Sequence, residues 1–212
     1  MSAMATASKA PVVWINGFPG TGKLTIANAI AKIHDHDRTL VLDNHKLIDP
    51  VEARCPRGHP DYNTQRQIYR QAVLEDNVRS PSSHGRLVIF TGRVSALLFK
   101  VNSLICFSDF QSDNQLGRDV AQEYADAASA AGRPFLPVYL TCNVEAHIQR
   151  IASSDRIDSG TTKLIDAELL RDMRSSCELF RFEDYPGLTV DSTEAPPSET
   201  AGKILDMIKS LE

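Results

Sequence analysis

The sequence lacks any apolar run long enough to cross a membrane, and it has no excess of basic residues. A formal net charge of −4 over 212 residues argues against a surface that binds nucleic acid. The four cysteines have neither a C-x-x-C pair nor the spacing of a zinc site; they are Cys55, Cys106, Cys142 and Cys177. We therefore expect reduced thiols, a cytoplasmic location and no membrane partner.

The length predicts a single domain, which we assign to residues 11–212. Residues 1–10 are small and polar, without the apolar centre of a signal peptide, and we expect a disordered tail there. Strand-like apolar runs alternate with helical patterns along the rest of the chain, which predicts βαβ units and a parallel sheet. We expect a monomer or a weak dimer.

Five strands and several helices follow from these patterns. The strands are predicted at Val12–Asn16, Thr39–Leu42, Leu87–Thr91, Phe135–Thr141 and Leu188–Val190. Helices are predicted from near Lys23, at Arg66–Val78, at Leu116–Ala131 and after Pro196-Pro197. Helical spacing predicts burial of Ile26, Ile30 and Ile33 in the first helix, and of Ala201, Ile204, Leu205 and Ile208 in the last. Ser198 is the expected cap of the last helix.

A glycine-rich loop separates the first strand from the first helix. Residues 17–25 read Gly-Phe-Pro-Gly-Thr-Gly-Lys-Leu-Thr and contain the pattern G-x-x-x-x-G-K. Glycines let backbone N–H groups turn toward phosphate oxygens, the helix N-terminus adds partial positive charge, and the lysine reaches the β- and γ-phosphates. The predicted ATP-binding residues are Gly17, Phe18, Pro19, Gly20, Thr21, Gly22, Lys23, Leu24 and Thr25.

The residue after Lys23 is Leu24, which has no hydroxyl to bind Mg²⁺. This loop resembles those of adenylate-kinase-type enzymes, where a residue without a hydroxyl also separates the lysine from a threonine. The resemblance implies a small-molecule or nucleotide kinase with a three-layer α/β/α P-loop NTPase fold and a short parallel sheet. Mg²⁺ would then depend on Thr25, on water or on other carboxylates.

Asp43 follows the second strand, at the edge where an α/β sheet lines its ligand crevice. The segment resembles the chloramphenicol phosphotransferase and zeta-toxin group, and the resemblance implies that Asp43 activates the acceptor hydroxyl. The alternative is an aspartate that caps the next helix. The loop-rich residues 49–62 and the helix after them contain arginines that could bind an anionic acceptor. These are Arg54, Arg57, Arg66 and Arg70.

Residues 150–166 resemble the lid of small P-loop kinases. Phosphoryl transfer spreads negative charge over the equatorial oxygens, so arginines that close over the nucleotide are expected. Arg150 and Arg156 are the candidates, and surface ion pairs are the alternative. After the last strand, Asp191-Ser192-Thr193 lies where such kinases contact adenine.

The third predicted strand ends at Thr91 without the carboxylate that usually orients Mg²⁺, and the next carboxylate is Asp109. Residues 92–108 are apolar for a loop at a catalytic edge. Joining Thr91 to Asp109 would restore the usual pattern, so we interpret residues 92–108 as an insertion, with a translated intron as one hypothesis and a segment packed on the core as the other.

Together these features predict an ATP-dependent phosphotransferase that acts on a hydroxyl or phosphate of a small molecule or nucleotide. The catalytic candidates are Lys23, Asp43, Arg150 and Arg156, and the Mg²⁺ candidates are Thr25 and Asp109. Leu24 and the displaced Asp109 favour an alternative, a nucleotide-binding protein with weak catalysis that acts through interactions. A polynucleotide kinase is disfavoured by the acidic composition.

Overall fold

The computed structural model describes residues 8–92, 110–153 and 166–211. Within these ranges one parallel sheet has the strand order β2-β3-β1-β4-β5. The strands are β1 (Val12–Asn16), β2 (Thr39–Leu42), β3 (Leu87–Thr91), β4 (Phe135–Thr141) and β5 (Leu188–Asp191). The predicted strand positions are confirmed, with β5 one residue longer than expected. All five residues of β1 are buried, because this strand pairs with both β3 and β4 and both of its faces are covered.

Helices cover both faces of the sheet and give the predicted α/β/α layers. They are α1 (Lys23–His34), α2 (Asn44–Glu52), α3 (Tyr62–Leu74), α4 (Gln115–Ala130), α5 (Val144–Ile151), α6 (Ala167–Ser176) and α7 (Pro197–Lys209). One apolar cluster joins α1 and α7 to the sheet, and a second joins α3 and α4 to its other face. A π-helical turn, Glu75–Arg79, extends α3. None of the described helices combines the length and apolar character that a membrane span requires.

Three sequence-based predictions about helices were wrong. Ile33 is 51% exposed, because the buried face of α1 runs through Ile26, Ala27, Ile30 and Ala31. Ser198 does not cap α7, since Pro197 already occupies the first helical position and Pro196 precedes it. Residues 49–62 were interpreted as loop-rich, but α2 continues to Glu52, with Leu47, Ile48 and Val51 buried at helical spacing.

A buried arginine closes the amino end of the sheet. Arg133 precedes β4, and its guanidinium donates hydrogen bonds to five backbone carbonyls: those of Ala10, Pro11, Asn77, Val78 and Arg86. Burial lowers the pKa of Arg133 to about 10, so the group stays charged at neutral pH. Ala10 and Pro11 precede β1, Arg86 precedes β3, and Asn77 and Val78 lie in the π-helical turn, so one side chain satisfies backbone groups from three segments.

We predict that Arg133→Met lowers the free energy of unfolding by about 3 kcal/mol or more, because buried carbonyls lose their donors. Urea denaturation measures the change. The control is Arg118→Met on α4, whose exposed ion pair with Asp113 spans 2.9 Å; its loss should cost about 0–1 kcal/mol. Equal losses in the two variants would contradict the role assigned to Arg133.

Candidate nucleotide and acceptor site

The loop between β1 and α1 requires glycine at two positions. Gly20 and Gly22 both have φ of +92°, a conformation that disfavours residues with a β-carbon. A β-carbon at Gly20 would also lie 2.6 Å from Ile151 Cγ2 and 3.2 Å from His147 Nε2, both on α5. The loop therefore packs directly against α5, and its backbone path depends on the glycines that the motif supplies.

Lys23 begins α1 and is half-buried against the loop. Its ammonium donates hydrogen bonds to the carbonyls of Gly17 and Phe18, with a distance of 3.0 Å to Phe18. Gly22, at the N-cap position of α1, provides no side-chain cap. The first-turn N–H groups of α1 therefore have no side-chain acceptor from the cap residue, an arrangement that suits an anion.

A buried histidine joins residues 17–25, here called the phosphate loop, to α6. The sequence did not point to this histidine. His147 Nε2 contacts the Pro19 carbonyl, and His147 Nδ1 lies 2.9 Å from Nη1 of Arg174. Because a guanidinium only donates, Nδ1 must accept, and Nε2 carries the hydrogen donated to Pro19. The imidazole is therefore neutral. Burial, reinforced by the charge of Arg174, lowers the pKa of His147 to about 4.

Arg174 is a second residue at the loop that sequence reasoning missed. Its Nη1 donates to the Cys142 carbonyl at 3.0 Å, and its guanidinium carbon lies 5.6 Å from the centre of the Phe18 ring. It comes from α6, beyond the lid predicted at residues 150–166. Nothing in the local sequence distinguishes Arg174 from other helix-surface arginines; only the packing of α6 on α5 brings it to the loop.

A cavity of about 390 Å³ lies beside the loop, at the N-terminus of α1. Its lining combines the loop and α1 with Arg150 and the β5–α7 connection, and includes Gly22, Thr25, Arg150, Ser192, Ala195 and Pro197. The volume is within the range of small-molecule sites. The lining combines polar loop residues with Ala195 and Pro197, which would suit a phosphate chain and a base.

Arg150 lies at the end of α5 and contacts the connection after β5. Its Nη2 donates to the carbonyls of Ser192 at 2.6 Å and Thr193 at 2.8 Å. The Ser192 hydroxyl in turn lies 3.0 Å from the Thr21 carbonyl, which ties this connection to the phosphate loop. Arg150 therefore borders the cavity on the side of Ser192 and Thr193. Arg156 lies outside the described residues, as does most of the predicted lid.

Asp43 is at the N-cap position of α2. One carboxylate oxygen, Oδ1, accepts a hydrogen bond from the Lys46 N–H at 3.1 Å. Within the described ranges its other oxygen has no hydrogen-bond partner. The capping role that the sequence left open is therefore present, and one oxygen remains for a proton. The order β2-β3-β1 places Asp43 at the same edge of the sheet as the phosphate loop.

The two Mg²⁺ candidates differ in what the structure describes. Thr25 is exposed in the first turn of α1 and lines the cavity, so its hydroxyl fits a hard cation beside phosphate oxygens. Asp109 lies outside the described residues. Among the residues that are described, no cluster of three or more histidine, cysteine, aspartate or glutamate side chains could hold a metal.

The two ends of the predicted 92–108 insertion meet at the carboxyl end of β1. The Gly92 N–H donates to the Ile15 carbonyl at 2.9 Å, and the Gln111 N–H donates to Asn16 Oδ1 at 3.0 Å. Phe110 packs on Phe18, with ring centres 4.6 Å apart. Residues 93–109 lie outside the described part of the chain, and both hypotheses for residues 92–108, a translated intron and a segment packed on the core, stay predictions.

We predict that His147→Gln weakens the acid sensitivity of the fold. The folded pKa of about 4 lies below the ordinary 6.5, so the unfolded chain binds the proton first as the pH falls. The contribution of neutral His147 to the free energy of unfolding is therefore fully present above about pH 6.5, and it is lost as the pH falls toward 4. Thermal unfolding at about pH 7.5 and pH 5 should show a smaller difference for His147→Gln than for wild type or for the exposed control His36→Gln. A full wild-type decline in His147→Gln would refute this assignment.

Comparison with known proteins identifies the fold and no close relative. No protein-family model matches the sequence, and no curated protein matches it significantly. A gluconokinase from Sinorhizobium meliloti 1021 superposes with a TM-score of 0.54 at 18% identity, over 96% of this chain and 94% of that chain. An APS kinase from Mycobacterium tuberculosis, solved with AMPPNP and APS, gives a TM-score of 0.54 at 17% identity, over 95% and 99%.

A shikimate kinase from Acinetobacter baumannii, solved with shikimate, gives a TM-score of 0.50 at 16% identity, over 95% of this chain and 94% of that chain. Each of these structures is similar to this chain over nearly its whole length, and each is a small-molecule kinase by its description. The phosphate loop, the parallel sheet and these superpositions agree: the chain has the fold of the P-loop small-molecule kinases.

Proposed function

We propose that this protein is an ATP-dependent phosphotransferase that acts on a hydroxyl or phosphate group of a small molecule. The observation that carries the proposal is the phosphate loop itself, with two left-handed glycines and an uncapped helix N-terminus that open beside a cavity of about 390 Å³. Such a loop binds the phosphate chain of a nucleotide. The similarity in fold to kinases supports transfer of the γ-phosphate to an acceptor, rather than nucleotide binding alone.

The proposed roles follow from the positions of the side chains. The loop backbone and Lys23 bind the β- and γ-phosphates, and the base lies toward Ser192 and Thr193, where Arg150 borders the cavity. Mg²⁺ would be held by Thr25, by phosphate oxygens and water, and by Asp109 if that residue reaches the site; when bound it would neutralise charge on the β- and γ-phosphates. Arg174 is a further cation beside the loop, and Arg150 and Arg156 stay proposed lid arginines.

In the transfer step, the acceptor oxygen forms a bond to the γ-phosphorus as the bond from that phosphorus to the β–γ bridging oxygen breaks, and ADP leaves. For a hydroxyl acceptor, the free oxygen of Asp43 receives the hydroxyl proton. The proposal includes a cytoplasmic location and a monomer or weak dimer.

A second candidate function is nucleotide binding with weak catalysis, in which the protein acts through interactions. Leu24, which cannot ligate a metal, is the observation that favours it. The two functions differ in one result: an enzyme releases ADP faster when its acceptor is added, whereas a binding protein is stabilised by ATP without turnover.

We predict that Lys23→Ala weakens ATP binding by about 1–3 kcal/mol, because a charge-assisted contact to the phosphates is lost. Calorimetric titration with ATP measures the effect. Lys32→Ala, at the exposed end of the same helix, is the matched control and should bind ATP as wild type does. Affinity of Lys23→Ala within about twofold of wild type, roughly 0.4 kcal/mol, would exclude the loop as the phosphate site.

We predict that Asp43→Asn lowers turnover by about 10²–10⁴-fold, provided that the acceptor is a hydroxyl, while ATP affinity and stability change little. Asparagine caps a helix about as well as aspartate, so this variant removes the proton acceptor and keeps the cap. Asp43→Ala removes both, and should lose about 1 kcal/mol of stability as well. If Asp43→Asn turns over at the wild-type rate, Asp43 is a cap and has no part in transfer.

A further inference from the structure

One buried guanidinium in the described part of the chain has two nitrogens without an acceptor. Arg66, on α3, is 3% exposed. Its Nε and Nη1 atoms have no hydrogen-bond acceptor in the part of the chain that the structure describes. A buried donor left unpaired is destabilising, and a buried unpaired charge is more so. We therefore expect a ligand or a neighbour of opposite charge to bind Arg66.

Two buried tyrosines lie around Arg66. Tyr62, one helical turn earlier, places its ring centre 5.9 Å from the Arg66 guanidinium carbon. The hydroxyl oxygens of Tyr62 and of Tyr124 on α4 are buried and unpaired among the described residues. Burial lowers the pKa of Arg66 and raises the pKa of Tyr124. A guanidinium and two phenols thus form a buried group without a carboxylate, and a phenol oxygen offers a guanidinium only a neutral acceptor.

Glu123, the carboxylate beside Arg70 and Tyr124, is already occupied. Glu123 accepts hydrogen bonds from Arg70 Nε at 2.7 Å and Arg70 Nη2 at 2.8 Å. Gln71 donates to the same carboxylate at 2.8 Å, and Gln67 lies 3.4 Å from it. The charge of Arg70 is therefore balanced, and the cluster of Arg66, Arg70 and Glu123 retains one uncompensated positive charge.

The position of this charge connects it to the acceptor side of the site. α3 packs on α2, whose first residue follows Asp43. α3 and α4 pack on the face of the sheet opposite α1, so Arg66 lies near α2 and on the other side of the sheet from α1. We infer that Arg66, with the hydroxyls of Tyr62 and Tyr124, binds an oxyanion, a carboxylate or a phosphate, carried by the acceptor. This inference names the acceptor class and rests on the proposed function.

The first test needs no nucleotide and uses inorganic phosphate as the probe. Thermal unfolding of the full chain is followed as phosphate is added to Lys23→Ala, in which the loop site is impaired, and to Lys23→Ala/Arg66→Met. A ligand that binds only the folded state raises the unfolding temperature. Lys23→Ala should retain a saturating rise, and the double variant should lose it. Lys23→Ala/Arg118→Met, with an exposed arginine removed from α4, should behave as Lys23→Ala does.

Arg66→Met also reports on the folded state without phosphate. Removal of an uncompensated buried charge should leave the unfolding temperature equal to or above that of wild type, whereas removal of a structural cation should lower it. Arg66→Gln, which keeps a donor, serves as the second variant if Arg66→Met does not fold. A phosphate-dependent rise that is equal with and without Arg66 overturns the inference, as does the absence of any rise in Lys23→Ala.

The second test identifies the source of the oxyanion. Transfer from labelled ATP is compared within matched pairs, gluconate against glucose and adenosine 5′-monophosphate against adenosine, so that a carboxylate and a phosphate are tested separately. A charged member should be preferred, and Arg66→Met should raise its KM by roughly tenfold or more while kcat changes little. Preference for a neutral member with no effect of Arg66→Met overturns the inference. If no transfer occurs but the phosphate test succeeds, the proposed function fails and the anion site stands.

Discussion

The close approach of the phosphate loop to α5 is the constraint on which the site depends. At Gly20 the backbone lies so near Ile151 and His147 that a β-carbon would collide with Ile151. The neighbouring carbonyls are bound from two directions: Pro19 by His147, and Thr21 by the Ser192 hydroxyl. The loop is therefore held in its turn by the protein, and a triphosphate would meet N–H groups that are already oriented.

The same constraint links the loop to distant parts of the chain. Buried Asn16, the last residue of β1, accepts hydrogen bonds from the N–H groups of Gly17 and Gln111, and its amide donates to the carbonyls of Gln111 and Phe180. Arg174 adds a connection from α6 through His147. The segments around Gln111 and Phe180 and helix α6 therefore converge on one turn, and a shift of α5 or α6 would move the loop with it.

The sequence predicted the strands and the phosphate loop because both depend on local patterns: apolar runs for β1–β5, and glycine spacing for the loop. It did not reveal His147 or Arg174, because their importance comes from contacts between α5, α6 and the loop. Ile33 was misassigned, since a spacing of three or four residues is compatible with more than one helix face. For Arg66 the sequence offered one arginine among four, and only burial without a partner distinguishes it.

The central claim is that residues 17–25 bind a nucleoside triphosphate beside α1, and a crystal structure with AMPPNP and Mg²⁺ tests it most directly. The account predicts that the β- and γ-phosphates contact the loop N–H groups and Lys23, with the base in the cavity bordered by Arg150 and Ser192. A nucleotide bound elsewhere, with the loop free of phosphate at saturating concentration, would contradict it.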